Sequence, residues 1–235
     1  MVPGRTMKKR PIRKRALSAL KRLVFRRGTL LSGQLRNSDF EKLLSQQLSL
    51  LASTVRDRSL NIVEVGTGSG KGSTISVYEA AKRLGQPFTL TGYECNPDLY
   101  QRAADQWKNV NEVRIVHEFF MAQSDFSSRV YPHILPGDQE EYRRTFQKYE
   151  SATNFFSTPP ATPVDLLVID SVRYTHLAAV TCAQPFLSVH SIVVMEDDIP
   201  DYGETKILER HLALKDLNHH PIANHDWPIV SFRLR

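Results

Sequence analysis

Carboxylates stand at or just before the ends of four apolar runs: Glu64 in Ile62-Val63-Glu64-Val65, Glu94 after Phe88–Tyr93, Asp170 after Val164–Ile169, and Glu196-Asp197-Asp198 after Ser191–Met195. Between the first two lies Gly66-Thr67-Gly68-Ser69-Gly70-Lys71-Gly72. Glycine is needed where backbone turns with positive φ or must approach a ligand with no Cβ in the way. At a strand-to-helix turn it opens backbone N–H groups to a nucleotide-like ligand. The spacing excludes two such ligands. A dinucleotide fingerprint would need glycine at Lys71 or at Ser73, and a phosphate loop would need glycine at Val65 and a hydroxyl residue at Gly72. An acid beside the turn suits instead a ligand whose polar end is a cationic amino acid. An acid ending the second strand, 24 residues past Gly70, can accept both hydroxyls of a ribose.

The later acids suggest different chemistry. Asp170, Glu196, Asp197 and Asp198 follow two parallel strands, so they should converge, and their repulsion calls for a cation. Oxygen ligands without a cysteine or histidine cluster point to a hard ion, Mg²⁺ before Zn²⁺. Such an ion would hold a substrate hydroxyl, lower its pKa and aim its oxygen. The plainer reading is that these acids cap helices and face water. His176 is a candidate general base, with a satisfied helix histidine as the alternative. Arg173 is a candidate partner for an anionic substrate group.

The elements that must position these groups alternate. The pattern predicts a helix from about Phe40 to Val55 capped by Ser38-Asp39, a strand before Gly66, and a helix through Tyr78 and Leu84 closed by Gly85. A second strand leads through Asn96-Pro97, a side-chain cap followed by proline at the first helical position, into a helix from Asp98 to Lys108. Val113–Val116 is a third strand. Residues 121–163 interrupt the pattern with an insertion holding a helix from Gln139 to about Tyr149 and a proline-rich end. Its aromatic and basic residues suit a substrate cover. A buried strand at Val164–Asp170, a helix from Thr175 to about Leu187, a strand at Ser191–Met195, a helix from Glu204 to Leu214 and a strand at Ile229–Phe232 follow. His219 and His220 are expected in a loop. The fold class is α/β, a Rossmann-like doubly wound, mostly parallel sheet with its site at the strands' carboxyl ends.

Glu64-x-Gly66-x-Gly68-x-Gly70, with the acid strand at this spacing, resembles the first motif of class I S-adenosylmethionine (SAM) methyltransferases. The resemblance implies SAM held by Glu64, Gly66, Thr67, Gly68, Ser69, Gly70, Glu94 and Asn96. Val168-Ile169-Asp170-Ser171, Pro185–Val189 and Ile192–Asp197 are similar to the cephalosporin hydroxylase-like group and to metal-dependent O-methyltransferases. That similarity spans Asn61 to Asp198 and implies Asp170, Glu196 and Asp197 as Mg²⁺ ligands. The chain departs from that group with Val172-Arg173 in place of an acid and a histidine, and with Val189-His190-Ser191 where a glycine is usual. The expected activity is methyl transfer to a hydroxyl of a sugar, glycolipid or small molecule. Two alternatives are a ribose or RNA-end methyltransferase and a non-catalytic SAM-fold module.

Charge separates residues 1–36 from the domain at 37–235. The first 27 residues hold eleven basic groups and no acid, leaving 20 basic against 25 acidic residues for the remainder, which is therefore net negative. Leu17, Leu20 and Val24 recur at helical spacing among those cations. Residues 5–27 suit an anionic membrane surface first, with nucleic-acid phosphates, an organelle transit segment or a solvated tail as alternatives. Two cysteines, Cys95 and Cys182, make neither a metal spacing nor a disulfide framework. With no long apolar run, a cytoplasmic protein is expected, with the inner membrane face as a second setting.

Overall fold

The computed structural model describes residues 38–126, 154–171, 175–196, 204–221 and 229–234. The basic arm, the helix expected from Gln139, and Arg173, Asp197 and Asp198 lie outside the described residues. The chain runs α1 (Ser38–Thr54), β1 (Leu60–Val65), α2 (Ser73–Leu84), β2 (Phe88–Tyr93), α3 (Pro97–Trp107), β3 (Val113–Val116), β4 (Val164–Ile169), α4 (His176–Ala183), β5 (Leu187–Glu196), α5 (Glu204–His211), β6 (Leu214–His220) and β7 (Ile229–Leu234). The sheet order is β3-β2-β1-β4-β5-β7-β6. The pairs from β3 to β5 are parallel, and β7 runs antiparallel to both β5 and β6. This is the doubly wound, Rossmann-like sheet that the sequence predicts. The order reverses between β1 and β4, so a crevice opens at their carboxyl ends.

Helices on both faces explain why β4 reads as an unbroken buried run rather than an alternation. On one face Phe40, Leu43, Leu44, Leu48 and Leu51, spaced three and four apart along α1, pack with Val77, Ala80 and Ala81 of α2 against Leu60, Ile62, Leu90, Leu166 and Val168. On the other, Val63, Val65, Leu167 and Ile169 meet Ala179, Val180 and Ala183 of α4 and Leu208 of α5.

Four elements, α4, β5, α5 and β6, differ from expectation. The helix expected to run to Leu187 stops at Ala183, because Pro185 allows only a short 3₁₀ turn at Gln184–Phe186. β5 then begins four residues before the expected Ser191. Its polar start hides in a bulge: Val164 pairs with Leu187, and Leu166 already with Ile192. The Ser191 hydroxyl accepts the Ser188 N–H and donates to the Val164 carbonyl, substituting for ladder bonds. The helix expected to reach Leu214 ends at His211, and His219 and His220 lie in strand β6 rather than a loop. Leu214 and Leu217 are three apart, the wrong spacing for a strand. A register shift between Lys215 and Asn218, with Asp216 at φ 54°, makes up the extra residue.

At the amino-terminal edge of the sheet, Asp165 of β4 is buried. Its carboxylate accepts both Arg58 Nη1 (2.8 Å) and Nη2 (2.6 Å) and the Asn61 N–H (2.8 Å), tying the entry to β1 onto β4. Asp165→Ala removes the acceptor of the Asn61 N–H and the ion-pair partner of Arg58. It should lower stability by about 2–3 kcal/mol, read as a shifted urea midpoint with an unchanged slope.

Candidate functional site

The glycine turn is built from beneath by Glu64. This residue is fully buried, with Oε1 accepting the Ser73 hydroxyl (2.6 Å) and Oε2 the Thr74 hydroxyl (2.7 Å). Ser73 and Thr74 open α2, so the carboxylate lies under the positive end of that helix. Burial pushes its pKa up, while the hydroxyl donors oppose the rise. The structure therefore places Glu64 inside the domain, where it sets the shape of the turn.

Gly66, Gly68 and Gly70 all have positive φ (89°, 59° and 74°), but different neighbours hold them there. A Cβ on Gly66 would stand 2.2 Å from the Asp170 carbonyl oxygen, so its bare Cα lets the end of β4 close against the end of β1. On Gly70 it would strike the indole of Trp107, whose Nε1 donates to the Gly70 carbonyl (2.9 Å). Only on Gly68, of these three, would a Cβ point into open space. Two of the three glycines thus answer to the protein's own packing, and Gly68 has open space beside it.

The backbone donors of the turn are largely engaged. Gly66 and Thr67 N–H donate to the Tyr93 carbonyl, Gly70 N–H donates to the Thr67 carbonyl, and Gly68 N–H donates to Glu94 Oε2 (2.7 Å). A phosphate cradle needs such groups free to point at the ligand. Here a carboxylate takes up the Gly68 N–H instead. Glu94 follows β2, is 6% exposed, and accepts the Asn96 N–H through Oε1 (2.7 Å). Burial raises its pKa, with the N–H groups of Asn96 and Gly68 opposing the rise. Asn96 caps α3 as expected, accepting from the N–H groups of Asp98 and Leu99 (3.0 and 3.2 Å) ahead of Pro97.

Next along this edge stands Glu118, which the sequence reading gave no role. Its carboxylate receives the backbone N–H and the hydroxyl of both Ser157 and Thr158, at 2.6–3.0 Å. Burial alone would raise its pKa, but these four donors outweigh it and hold the group below the usual carboxylate range. The last part of the insertion is thereby strapped to the end of β3. Phe119 forms a parallel bridge to Phe155, and Phe156 packs among Tyr93, Phe120 and Phe186. His117 stacks on Tyr100 (4.8 Å) and approaches the Cys95 carbonyl with Nε2 (3.2 Å), while the Asn154 amide bridges the carbonyls of Cys95 and His117. An acid two residues past a strand was the signal for Glu118. Its partners look like a proline-rich connector in sequence and gave none.

Asp170 is half-buried at the end of β4, its N–H donating to the Val65 carbonyl (2.9 Å). It lines a small apolar cavity with Phe40, Ile169, Met195 and Ile229. The pairing of Ile169 with Met195 places Asp170 and Glu196 at adjacent strand ends. Among the described residues, no three His, Cys, Asp or Glu side chains come together as a metal ion would need. His176 is buried under the Asp170–Ser171 turn, its Nε2 3.1 Å from the Ser171 carbonyl. Ser69 is half-buried on the turn, and Thr67 is buried with its hydroxyl toward the Tyr93 carbonyl (3.5 Å).

The strand order, with its antiparallel last pair, is the Rossmann-like sheet of the class I methyltransferase fold. No protein-family model matches the chain, and no curated protein matches it significantly. Among solved structures it is similar to the N-methyltransferase NodS from Bradyrhizobium japonicum WM9 (16% identity over 82% of this chain and 94% of that one, TM-score 0.46). It is also similar to fibrillarin from Aeropyrum pernix with bound S-adenosyl-L-methionine (16%, 74% and 66%, 0.47) and to an rRNA methylase from Streptococcus thermophilus (8%, 80% and 94%, 0.48). At such identities and scores the acceptors of those proteins are theirs alone, and the fold assignment rests on the strand order.

Gly66→Ala drives a Cβ into backbone and should prevent folding. Gly68→Ala pays only the positive-φ penalty of about 1–2 kcal/mol, so a thermal melt should show a folded protein with an obstructed open face. Glu64 has a raised pKa in the folded state. Between the ordinary value of 4.5 and that higher value the folded chain therefore binds more protons than the unfolded one, and this group's contribution falls as pH rises. Glu64→Gln removes that loss, so its stability relative to wild type should improve from pH 4 upward and then level off. A gap that does not change with pH would contradict the assignment.

Proposed function

We propose that the chain is a SAM-dependent O-methyltransferase acting on a hydroxyl of a sugar, glycolipid or small-molecule acceptor. The observation that supports it best is the pairing of Gly68 with Glu94. At Gly68, which has open space where a Cβ would stand, the N–H is held 2.7 Å from the Glu94 carboxylate rather than left free for a phosphate. That arrangement favours a nucleoside offering hydroxyls over one offering phosphates. In this reading Glu94 accepts the ribose hydroxyls, Gly68 gives the cofactor room at Cα, and the Tyr100–His117 stack and Asn96 bound the base end. Glu64 acts through the turn it supports.

When bound, SAM supplies an electrophilic methyl group on a sulfonium. The protein's part is to hold an acceptor hydroxyl in line with that methyl and to take its proton as the C–O bond would form and the methyl–sulfur bond break, S-adenosylhomocysteine being the leaving group. Asp170 suits this role because it stands on the open edge, fixed against Gly66 by the closest backbone approach in the turn. A general base must reach the proton it removes. His176, beneath the turn, therefore serves as the residue that positions Asp170-Ser171. Arg173 remains our candidate for an anionic group on the acceptor. Asp170-Ser171-Val172-Arg173 is also unlike the proline-containing motif used on base amines, which favours a hydroxyl acceptor.

Magnesium is not required by this reading. Of the three expected ligands only Asp170 has a described side chain, and the described residues do not assemble a metal cluster. No step is assigned to an ion.

Calorimetric titration with S-adenosylhomocysteine should show binding to wild type, a loss of at least about tenfold in Glu94→Ala, and near-wild-type binding in Asp170→Asn. Methyl transfer, once an acceptor is found, should fall about 10²-fold or more in Asp170→Asn. Wild-type protein that does not bind the ligand would refute the reading.

A further inference from the structure

Where the insertion returns to the domain, one side chain joins the loops that follow β2 and β3. Asn154 Nδ2 donates to the Cys95 carbonyl and to the His117 carbonyl, each at 3.3 Å. The Asn154 backbone carbonyl accepts the Phe119 N–H (2.8 Å), so the main chain is pinned as well. Two carbonyls facing one end of an amide identify that end as the NH₂ group and so fix where its oxygen lies. None of the described residues donates to Asn154 Oδ1, and this half-buried side chain does not seal its oxygen from solvent. The neighbours indicate what such an acceptor would meet. Cys95 directly follows Glu94, the acid assigned above to the ribose, and His117 is half of the Tyr100–His117 stack assigned to the base end. Asn154 therefore stands beyond the ribose acid, on the side of the base. The nearby acid Glu118 is already engaged: four donors from Ser157 and Thr158 fill the lone-pair sites of its carboxylate.

We propose that Asn154 reads the base of the bound nucleoside, its Oδ1 accepting a hydrogen from the exocyclic amine of adenine. This rests on the methyltransferase reading above and names the residue that selects the base. An amine presents donors, which an amide oxygen accepts. Hypoxanthine carries an oxo group in place of that amine, and two acceptors brought together in a half-buried site leave both unsatisfied. The Asn154 amide cannot turn over to suit the oxo form, because its NH₂ end would leave the Cys95 and His117 carbonyls. Glu118 is a positioning residue here. It holds Ser157 and Thr158, and with them the short segment from which Asn154 projects, so the acceptor is in place before a ligand arrives.

The test titrates the full chain by calorimetry with S-adenosylhomocysteine and with S-inosylhomocysteine, in which an oxo group replaces the adenine amine. Wild type should bind the adenine ligand about tenfold or more tighter. Asn154→Ala should narrow that preference to about threefold or less, chiefly by weakening the adenine ligand. Glu118→Ala should narrow it in the same direction. A ratio of affinities is insensitive to a general loss of packing, so an Asn154 that only ties the loops together would weaken both ligands alike and keep the preference. A third ligand, with hydrogen in place of the amine, serves if Asn154→Ala does not fold: wild type should rank amine above hydrogen above oxo, and any other order overturns the proposal. Wild type that binds the adenine and inosine ligands alike, or a preference that Asn154→Ala retains, overturns the assignment of Asn154 and leaves the methyltransferase reading standing. Wild type that binds neither overturns that reading and this one with it.

Discussion

At the centre of this fold lies a buried carboxylate, Glu64, that no cation partners among the described residues. Moving an ionised carboxyl out of water costs several kcal/mol even in a relaxed protein, and Glu64 has no counter-ion among its hydrogen-bond partners. Two short hydroxyl bonds and the positive end of α2 offset part of that cost, and burial still leaves the pKa raised. The result is a fixed joint: β1 cannot slide or twist relative to α2 without breaking one of those bonds. The glycine turn spans that joint, so its positive-φ residues hold a single path. Gly66 can then meet the Asp170–Ser171 backbone at a separation that any side chain would prevent. The crevice between β1 and β4, the bonding of Gly68 to Glu94 and the placement of Asp170 all follow from this joint.

Hydrogen-bond accounting separates this turn from others of similar sequence. Glycine-rich strand-to-helix turns are usually associated with bound phosphates because their N–H groups point outward. In this turn Gly66, Thr67, Gly68 and Gly70 donate to acceptors within the protein. The motif spacing already excluded the two phosphate fingerprints, and the geometry gives the same exclusion a cause. In this turn the donors point inward and the Gly68 N–H is taken up by the Glu94 carboxylate, so the four donate within the protein rather than toward a phosphate.

Features that follow from local chemistry were legible in the sequence. Asn96-Pro97 reads as a cap followed by a preorganised first turn, and Gly85 as a left-handed helix stop; both are found so. The alternation of apolar runs with helical periods was enough for the doubly wound sheet. Features that depend on distant partners were not legible. Nothing local distinguishes Gly66, pressed by Asp170, from Gly68, pressed by nothing. Glu118 is one acid among many until Ser157 and Thr158, about forty residues on, arrive with four donors. β6 was lost because its bulge moves the two leucines out of the period that identifies a strand.

The carboxyl edge gathers the functional candidates for topological reasons. In a parallel sheet every strand-to-helix turn falls on one edge, and that edge collects Glu94, Glu118 and Asp170 from β2, β3 and β4. A helix packed before β1 and feeding it directly must run antiparallel to it, so its own start returns to that edge, as Phe40 does. Any segment preceding such a helix is therefore delivered beside the site whatever its sequence.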